Sequence, residues 1–360
     1  MLLYILTGLL ALATLLPLVP WPSGIIRVCD FPRIQIAVAA LLLLVTAWVL
    51  DGVGEHPLLT AVLLTILVAQ GWACRMYTPF YPVQSARLEG PSDPENSVRV
   101  FSANVKLSNK CFDATVALAT QVAPDIAIFM EVDDEWIRAL GPLRSELPHA
   151  VAWPSDDGYG MLVLSKLPLL EPELRFLVFD NVPSVRTRVR LRNGEHVRLY
   201  AVHPEPPVPY EDTVGRDGEL VMIAAEVKHD RLPAIVAGDL NDVAWSRTTR
   251  RFQRLSGLLD PRVGRGMFST FDARFPGLRW PLDHLFHDGR FRLVSIERLP
   301  YIGSDHFPIL FELSLDRQPP PEAATIPQAD KQDQREAREV VSEAAELNRE
   351  PVGGNWEQKA

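Results

Sequence analysis

Three stretches near the N-terminus, Met1–Leu18, Ile34–Leu50 and Pro57–Ala73, contain no charged residue. Each has about 17–18 residues, the lower limit for crossing a hydrocarbon layer of roughly 30 Å. A helix in a water-soluble core shows a polar face, and these show none. The sequence therefore demands apolar surroundings here, and three membrane helices are expected. A cleavable secretion signal opens on Lys or Arg, whereas Met1-Leu2-Leu3-Tyr4 offers neither. Arg27 and Arg33 fall in the first connection, Asp51–His56 has no Lys or Arg, and Arg75 follows the third stretch. The positive-inside bias then places the first connection and the rest of the chain in the cytoplasm. Trp48, Trp72 and Tyr77 sit at stretch ends, the depth that interfacial aromatics prefer. No ionisable residue interrupts the stretches, so a transport pathway is not indicated.

Beyond this segment (residues 1–78), Pro79, Pro82, Pro91 and Pro94 with Gly90 and Ser92 predict an extended linker over 79–97. The formal charge of -9 is unevenly spread. Over residues 98–317, 27 Lys and Arg oppose 30 Asp and Glu. Non-specific binders of nucleic acid carry a basic face, so bulk charge lends that role no support, although local arginine clusters could form a groove. Cys29, Cys74 and Cys111 are odd in number and far apart, which indicates neither a disulfide framework nor a zinc site. Residues 318–360 open on Pro319-Pro320-Pro321 and carry 9 acidic against 5 basic side chains. Their apolar content predicts a disordered acidic tail with at most a short helix over Val340–Leu347, either solubilising or partner-binding.

Between linker and tail, short β-rich runs alternate with helical ones. Strands are expected over Val98–Val105, Ile126–Val132, Met161–Ser165, Leu174–Phe179, Val185–Leu191, His196–His203, Ala234–Gly238, Leu282–Phe286, Leu293–Glu297 and Ile309–Leu315. Helices are expected over Thr115–Val122, Glu135–Leu147, Glu219–Lys228 and Trp245–Leu255. Many strands and few helices suggest two packed sheets flanked by helices, since each sheet must bury one face.

Polar groups cluster at the ends of these strands. Asn104 closes the first, Glu131 the second and His203 the run Tyr200-Ala201-Val202. Asp239 and Asn241 flank Leu240 and project to one side of an extended segment. Asp283-His284 opens a strand, and Ser304-Asp305-His306 precedes another. Each alone has a plain explanation, as a cap, a turn or a satisfied structural histidine. A carboxylate closing an apolar strand is poorly explained by packing, and so many such placements argue for one site. Carboxylates to hold a divalent cation, a base for water and donors for phosphoryl oxygens are what phosphodiester cleavage requires.

The stretches Asn104, Phe129-Met130-Glu131, Tyr159–Lys166, Ala201-Val202-His203-Pro204, Gly238-Asp239-Leu240-Asn241-Asp242, Pro281–Phe286 and Ser304–Pro308 occur in an order that resembles the endonuclease/exonuclease/phosphatase superfamily. The resemblance implies an α/β fold, the deoxyribonuclease-I-like four-layer αββα sandwich of two mainly antiparallel sheets. It further implies Mg²⁺ or Mn²⁺ held by Glu131 with Asn104 and Asp305. Asp239 then handles the attacking water, Asn241 and His203 contact the phosphate, and Asp283 orients His306, which polarises it. The division of labour between metal and water carboxylates stays open. The segment Asp242–Asp260, with Trp245, Arg247, Arg250, Arg251 and Arg254, resembles bacterial members carrying hydrophobic N-terminal segments. Those arginines either meet a polyanionic substrate or form a solvated face.

The expected protein is a phosphoesterase integral to the bacterial inner membrane. A nuclease is expected first, and a lipid or inositol-phosphate phosphatase or phospholipase second. A non-catalytic binding module is the alternative of another class. Nothing in the sequence fixes the oligomeric state.

Overall fold

The computed structural model describes residues 1–316 and 328–353; Pro319-Pro320-Pro321 and the last seven residues lie outside them. The N-terminal segment forms α1 (Leu2–Leu15), a short α2 (Gly24–Val28), α3 (Arg33–Asp51) and α4 (Pro57–Cys74). Among the described residues, only α3 and α4, the latter extended to Tyr77, are long and apolar enough to cross a membrane. Three such helices were expected. α1 has 14 residues, about 21 Å at 1.5 Å each. Pro17, which lacks an amide hydrogen, turns the chain into a short 3₁₀ segment there. Ile36, Ala40, Leu44 and Ala47 of α3 form one stripe against Leu59, Leu63 and Ile66 of α4. The opposite faces leave Leu42, Val45, Val49 and Val68 exposed, as an apolar solvent permits.

The remainder builds two sheets. The first holds β1 (Ser97–Asn104), β2 (Ile126–Met130), β3 (His149–Trp153), β4 (Met161–Ser165), β10 (Phe291–Arg298) and β11 (Ile309–Leu315), in the order β10-β11-β1-β2-β4-β3. The second holds β5 (Leu169–Phe176), β6 (Pro183–Arg190), β7 (His196–Val202), β8 (Ala234–Asp239) and β9 (Asp283–His287) in sequential order. Every pairing is antiparallel except β1–β2 and β7–β8. Those two parallel pairs need helical crossovers, supplied by α5 (Phe112–Val122) and α7 (Val214–His229). The sheets therefore share one motif at their centres: strand, helix, parallel strand, antiparallel strand.

The inner faces pack Val100, Ile128 and Val163 from one sheet with Leu199, Ile235 and Leu285 from the other. Outside the first sheet lie α5 and α6 (Asp134–Ala139), where Phe101, Phe129 and Trp136 are buried. Outside the second lie α7 and α8 (Arg247–Ser256), over Tyr200, Val236 and Phe286. The result is the αββα sandwich. Gly238 lets β7 and β8 approach closely: its φ is +144°, and a Cβ there would lie 2.0 Å from the Val202 carbonyl oxygen.

Two differences from expectation matter for function. The linker is tied to the first sheet, where the Leu88 N–H donates to the Leu293 carbonyl and the Leu293 N–H to the Ala86 carbonyl, both at 2.9 Å. The tail also orders over α9 (Lys331–Ala345), opened by an Asp330/Asp333 capping box. Ala337, Val340 and Ala344 pack on Val214 and Val221 of α7. Gly218 allows that approach, because a Cβ there would meet Ala344 Cβ at 2.5 Å. Asp333 pairs with Arg254 at 2.6 Å, and Glu336 with Arg247 and Arg251. These arginines are thus neither a solvated face nor a substrate groove; they hold the tail helix.

Candidate active site

The C-terminal ends of the two parallel pairs open at the same end of the sandwich, where ligands gather in sheets of this kind. Asn104 ends β1, Glu131 follows β2, His203 follows β7, and Asp239 ends β8. Asp283 begins the neighbouring β9, and His306 precedes β11. Glu131 and Asn241 take φ values of 62° and 53°. Side chains with a Cβ seldom adopt that backbone, and here it turns the chain sharply at both groups.

Asn104 joins the sheets. Its Nδ2 donates to Glu131 Oε1 at 2.6 Å and to Asp239 Oδ2 at 3.2 Å. His306 Nε2 lies 3.5 Å from Asp239 and its Nδ1 bonds Asp283 Oδ2 at 2.8 Å. Asp239, Asp283 and His306 together place one donor atom each within 4.8 Å of one another. His203 Nε2 stands 4.0 Å from Asp239. Asn241 donates its backbone N–H to Asp239 Oδ1 at 2.9 Å and its side-chain amide to the Pro204 carbonyl at 2.9 Å.

Burial sets the electrostatics. Desolvation, with Asp305 nearby, pushes Glu131 up to about 7. Desolvation likewise raises Asp239 to about 6 against the opposing pull of His306. Burial works to lower His306, but Asp283 and Asp239 outweigh it and hold the imidazole up to about 10. His203 is driven down to about 4 by burial and by His306. The site therefore sets a charged imidazolium beside a neutral one.

The close cluster of Asp239, Asp283 and His306 lies beside the expected ligands Asn104, Glu131 and Asp305 rather than coinciding with them. Asn104 turns its NH₂ toward both carboxylates. Asp305 is engaged by Lys106 at 2.8 Å and faces Arg274 at 3.6 Å. His284 also leaves the site: it bonds Arg262 at 2.6 Å and the Asp242 carbonyl at 2.8 Å. Neighbours in a strand point to opposite faces, so Asp283 and His284 could not both serve one pocket. Three positioning groups complete the site: Ser304, present in the sequence motif without a role, and Lys106 and Phe271, which the sequence motifs do not include. Ser304 Oγ donates to the Asn104 carbonyl at 2.8 Å and accepts the His306 N–H at 3.0 Å. Lys106 fixes Asp305. Phe271 lies against the His306 ring, centroids 4.9 Å apart, from an irregular loop without periodic signal. Besides Ser304 in its motif, Lys106 had a signal, its two-residue spacing from Asn104.

The donors suit a divalent cation. Carboxylate oxygens favour hard ions such as Mg²⁺ or Mn²⁺. Asp283 Oδ1 and His203 Nδ1 are buried without a hydrogen-bond partner. Two acids forced toward protonation by burial are what a bound cation would relieve.

An αββα sandwich with carboxylates and paired histidines at one end defines a metal-dependent hydrolase of phosphate esters. The chain belongs to the endonuclease/exonuclease/phosphatase family, whose profile matches residues 98–306. Enzymes of this family depend on divalent metal ions. No curated protein matches the chain by sequence. Among solved structures it is similar to the human Nocturnin catalytic domain with bound sulfate, at 16% identity and a TM-score of 0.52, over 62% of this chain and 96% of that one. It is similar to D. rerio TDP2 complexed with a single strand DNA product, at 16% identity and a TM-score of 0.50, over 61% and 99%. An endonuclease/exonuclease/phosphatase from Bacteroides vulgatus matches at 19% identity and a TM-score of 0.50, over 61% and 99%.

Proposed function

We propose that the protein is a membrane-anchored phosphodiesterase whose substrate class is nucleic acid. The observation that carries the phosphodiesterase reading is the convergence on Asp239 of Asn104 from one sheet and His306 from another loop. Glu131 and Asp239 would hold a divalent cation in this reading, with Asp283 Oδ1 available as a further oxygen. When bound, such a cation would supply charge neutralisation at the phosphoryl oxygens and make water more acidic. Asp239 orients the attacking water and accepts its proton. His306, protonated and aligned by Asp283, donates to a non-bridging oxygen or to the leaving oxygen. Asn241 and neutral His203 donate to the remaining phosphoryl oxygens.

Nucleic acid is favoured by the rim. Arg279 and Arg298 stack on Phe307 at 4.9 and 4.5 Å, beside His306, and Tyr301 and Phe275 are exposed nearby. Guanidinium groups held by buried Phe307, with the exposed rings of Tyr301 and Phe275, suit a strand whose bases stack while its phosphates are neutralised. The D. rerio TDP2 neighbour carries a DNA strand, which agrees in kind.

A second reading has its own support. The loop backing His306 touches the start of α3: Gln35 bonds the Gly277 carbonyl at 3.0 Å, and Phe31 meets Trp280 with centroids 5.9 Å apart. Phe275 and Leu278 are exposed there, so a phospholipid head group could be presented to the same centre. A panel of single-stranded DNA, duplex DNA, phosphatidylcholine vesicles and phosphoinositides with Mg²⁺ decides. DNA turnover at least about tenfold above any lipid is expected; turnover of lipid alone ends the nuclease assignment. Anchoring is checked separately: the full chain is expected to stay in the membrane pellet after alkaline carbonate extraction, as integral helices do, and release into the supernatant refutes it.

A further inference from the structure

A crevice of about 760 Å³ lies between α1, α4 and α8. None of its lining residues belongs to the cluster around Asp239. One wall is apolar, with Leu15, Ile66 and Ala69 from the membrane-type helices. The other carries Arg33 and Arg250, and the charges there do not cancel. Arg33 is bound by Asp30 at 2.6 Å. Arg247 and Arg254, also on this wall, are bound by Glu336 and Asp333. Arg250 has no ionic partner among the described residues; it donates only to the Ala73 carbonyl, at 2.7 Å.

Three buried polar atoms of the lining residues also lack hydrogen-bond partners among the described residues. Arg33 Nε and Arg250 Nε are buried donors without acceptors, and Asp30 Oδ2 is a buried acceptor without a donor. Arg33 and Asp30 are 7% and 3% exposed. Such orphans are costly unless a ligand answers them. A group that accepts from the Arg33 and Arg250 guanidinium groups, donates to Asp30, brings one net negative charge and fills the apolar slot between α1 and α4 would complete this wall. A phosphate diester with a hydroxylated head and acyl chains meets all four conditions.

We propose that this crevice binds one acidic phospholipid with a hydroxyl-bearing head group, of the phosphatidylglycerol type. Its phosphate sits between Arg250 and Arg33, its hydroxyl reaches Asp30, and its chains lie between α1 and α4. The lipid is a resident of the anchor rather than a substrate, and it couples the membrane helices to α8. The proposal rests on the membrane anchoring inferred above, and its readout is lipid retention rather than turnover, so its failure leaves the phosphodiesterase reading intact.

The test is native mass spectrometry of the full chain, delipidated in neutral detergent and equilibrated with equal phosphatidylglycerol and phosphatidylcholine. One phosphatidylglycerol per chain is expected, favoured about tenfold or more, as a charge-assisted contact warrants. Arg250→Gln is expected to erase that preference. Ala69→Trp, which fills the apolar slot without touching charge, is expected to lower retention of both lipids and serves if the first variant does not fold. Equal retention of the two lipids by the native chain overturns the proposal, as does an unchanged preference in folded Arg250→Gln. Thermal stabilisation by inorganic phosphate equal to that by phosphatidylglycerol overturns it too, since a bare anion would then suffice.

Discussion

Asp239→Asn is expected to lower phosphodiester turnover about 10³-fold or more while leaving the protein folded. The substitution preserves shape and removes the charge on which the site converges. The carboxylate receives the Asn241 N–H at 2.9 Å and the Asn104 amide at 3.2 Å, and it faces His306 at 3.5 Å. An amide oxygen still accepts the Asn241 bond. It cannot deprotonate water, and it is a weaker ligand for a hard cation. Loss of a general base costs 10²–10⁴-fold, and loss of cation affinity compounds it. Stability should respond in the opposite sense. Asp239 is fully buried and raised to about 6 mainly by that burial, so its charge is a burden on the metal-free fold near neutral pH. Metal-free Asp239→Asn is therefore expected to melt no lower than the native chain at pH 7.5. Steady-state kinetics on a chromogenic phosphodiester, with melting curves of both proteins, provide the check. Turnover within tenfold of native would remove Asp239 from the reaction centre.

How far such a centre can be seen in advance depends on what each residue reports. Ile126–Met130 is apolar throughout because β2 is covered on both faces, and that made it legible. β3, His149–Trp153, escaped notice: it is an edge strand, only half-buried, and its short Ala-rich run carries little period-2 contrast. The positions of Asn104, Glu131, His203, Asp239 and His306 at strand ends were readable, because polar groups interrupt apolar runs there. Their mutual geometry was not. The positive φ of Glu131 and the reach of Asn104 across the sandwich arise from tertiary packing, which leaves no local pattern. α9 shows the opposite failure. Its stripe Ala337, Val340, Ala344 has helical spacing but little apolar area. What orders it is supplied elsewhere, by a glycine on α7 and arginines on α8, so the segment read by itself resembles a tail that cannot fold.

Removing divalent cations is expected to cut turnover below about a thousandth of its initial rate, the several kcal/mol of transition-state stabilisation a cation supplies. The same treatment should expose a pH dependence of stability whose sign the buried acids fix. Glu131 titrates near 4.5 in an unfolded chain and is pushed to about 7 in the fold. Between those values the folded metal-free protein binds the extra proton, so its stability falls as pH rises, by roughly 3 kcal/mol across the window. Asp239, raised from 3.8 to about 6, acts in the same direction. His306 extends the fall above pH 6.5, since its contribution is full below that value and is lost as pH climbs through about 10. A bound cation must displace the carboxyl protons, so its stabilising effect should be small at pH 5 and large at pH 8. Melting temperatures of chelated and Mg²⁺-saturated protein across that range should diverge with rising pH, and Glu131→Gln should narrow the gap by flattening the chelated curve. A pH-independent gap would mean that the cation sits away from these carboxylates. Full turnover in chelator would mean that the site works without a cation, with Asp239 as base beside the His306 imidazolium 3.5 Å away.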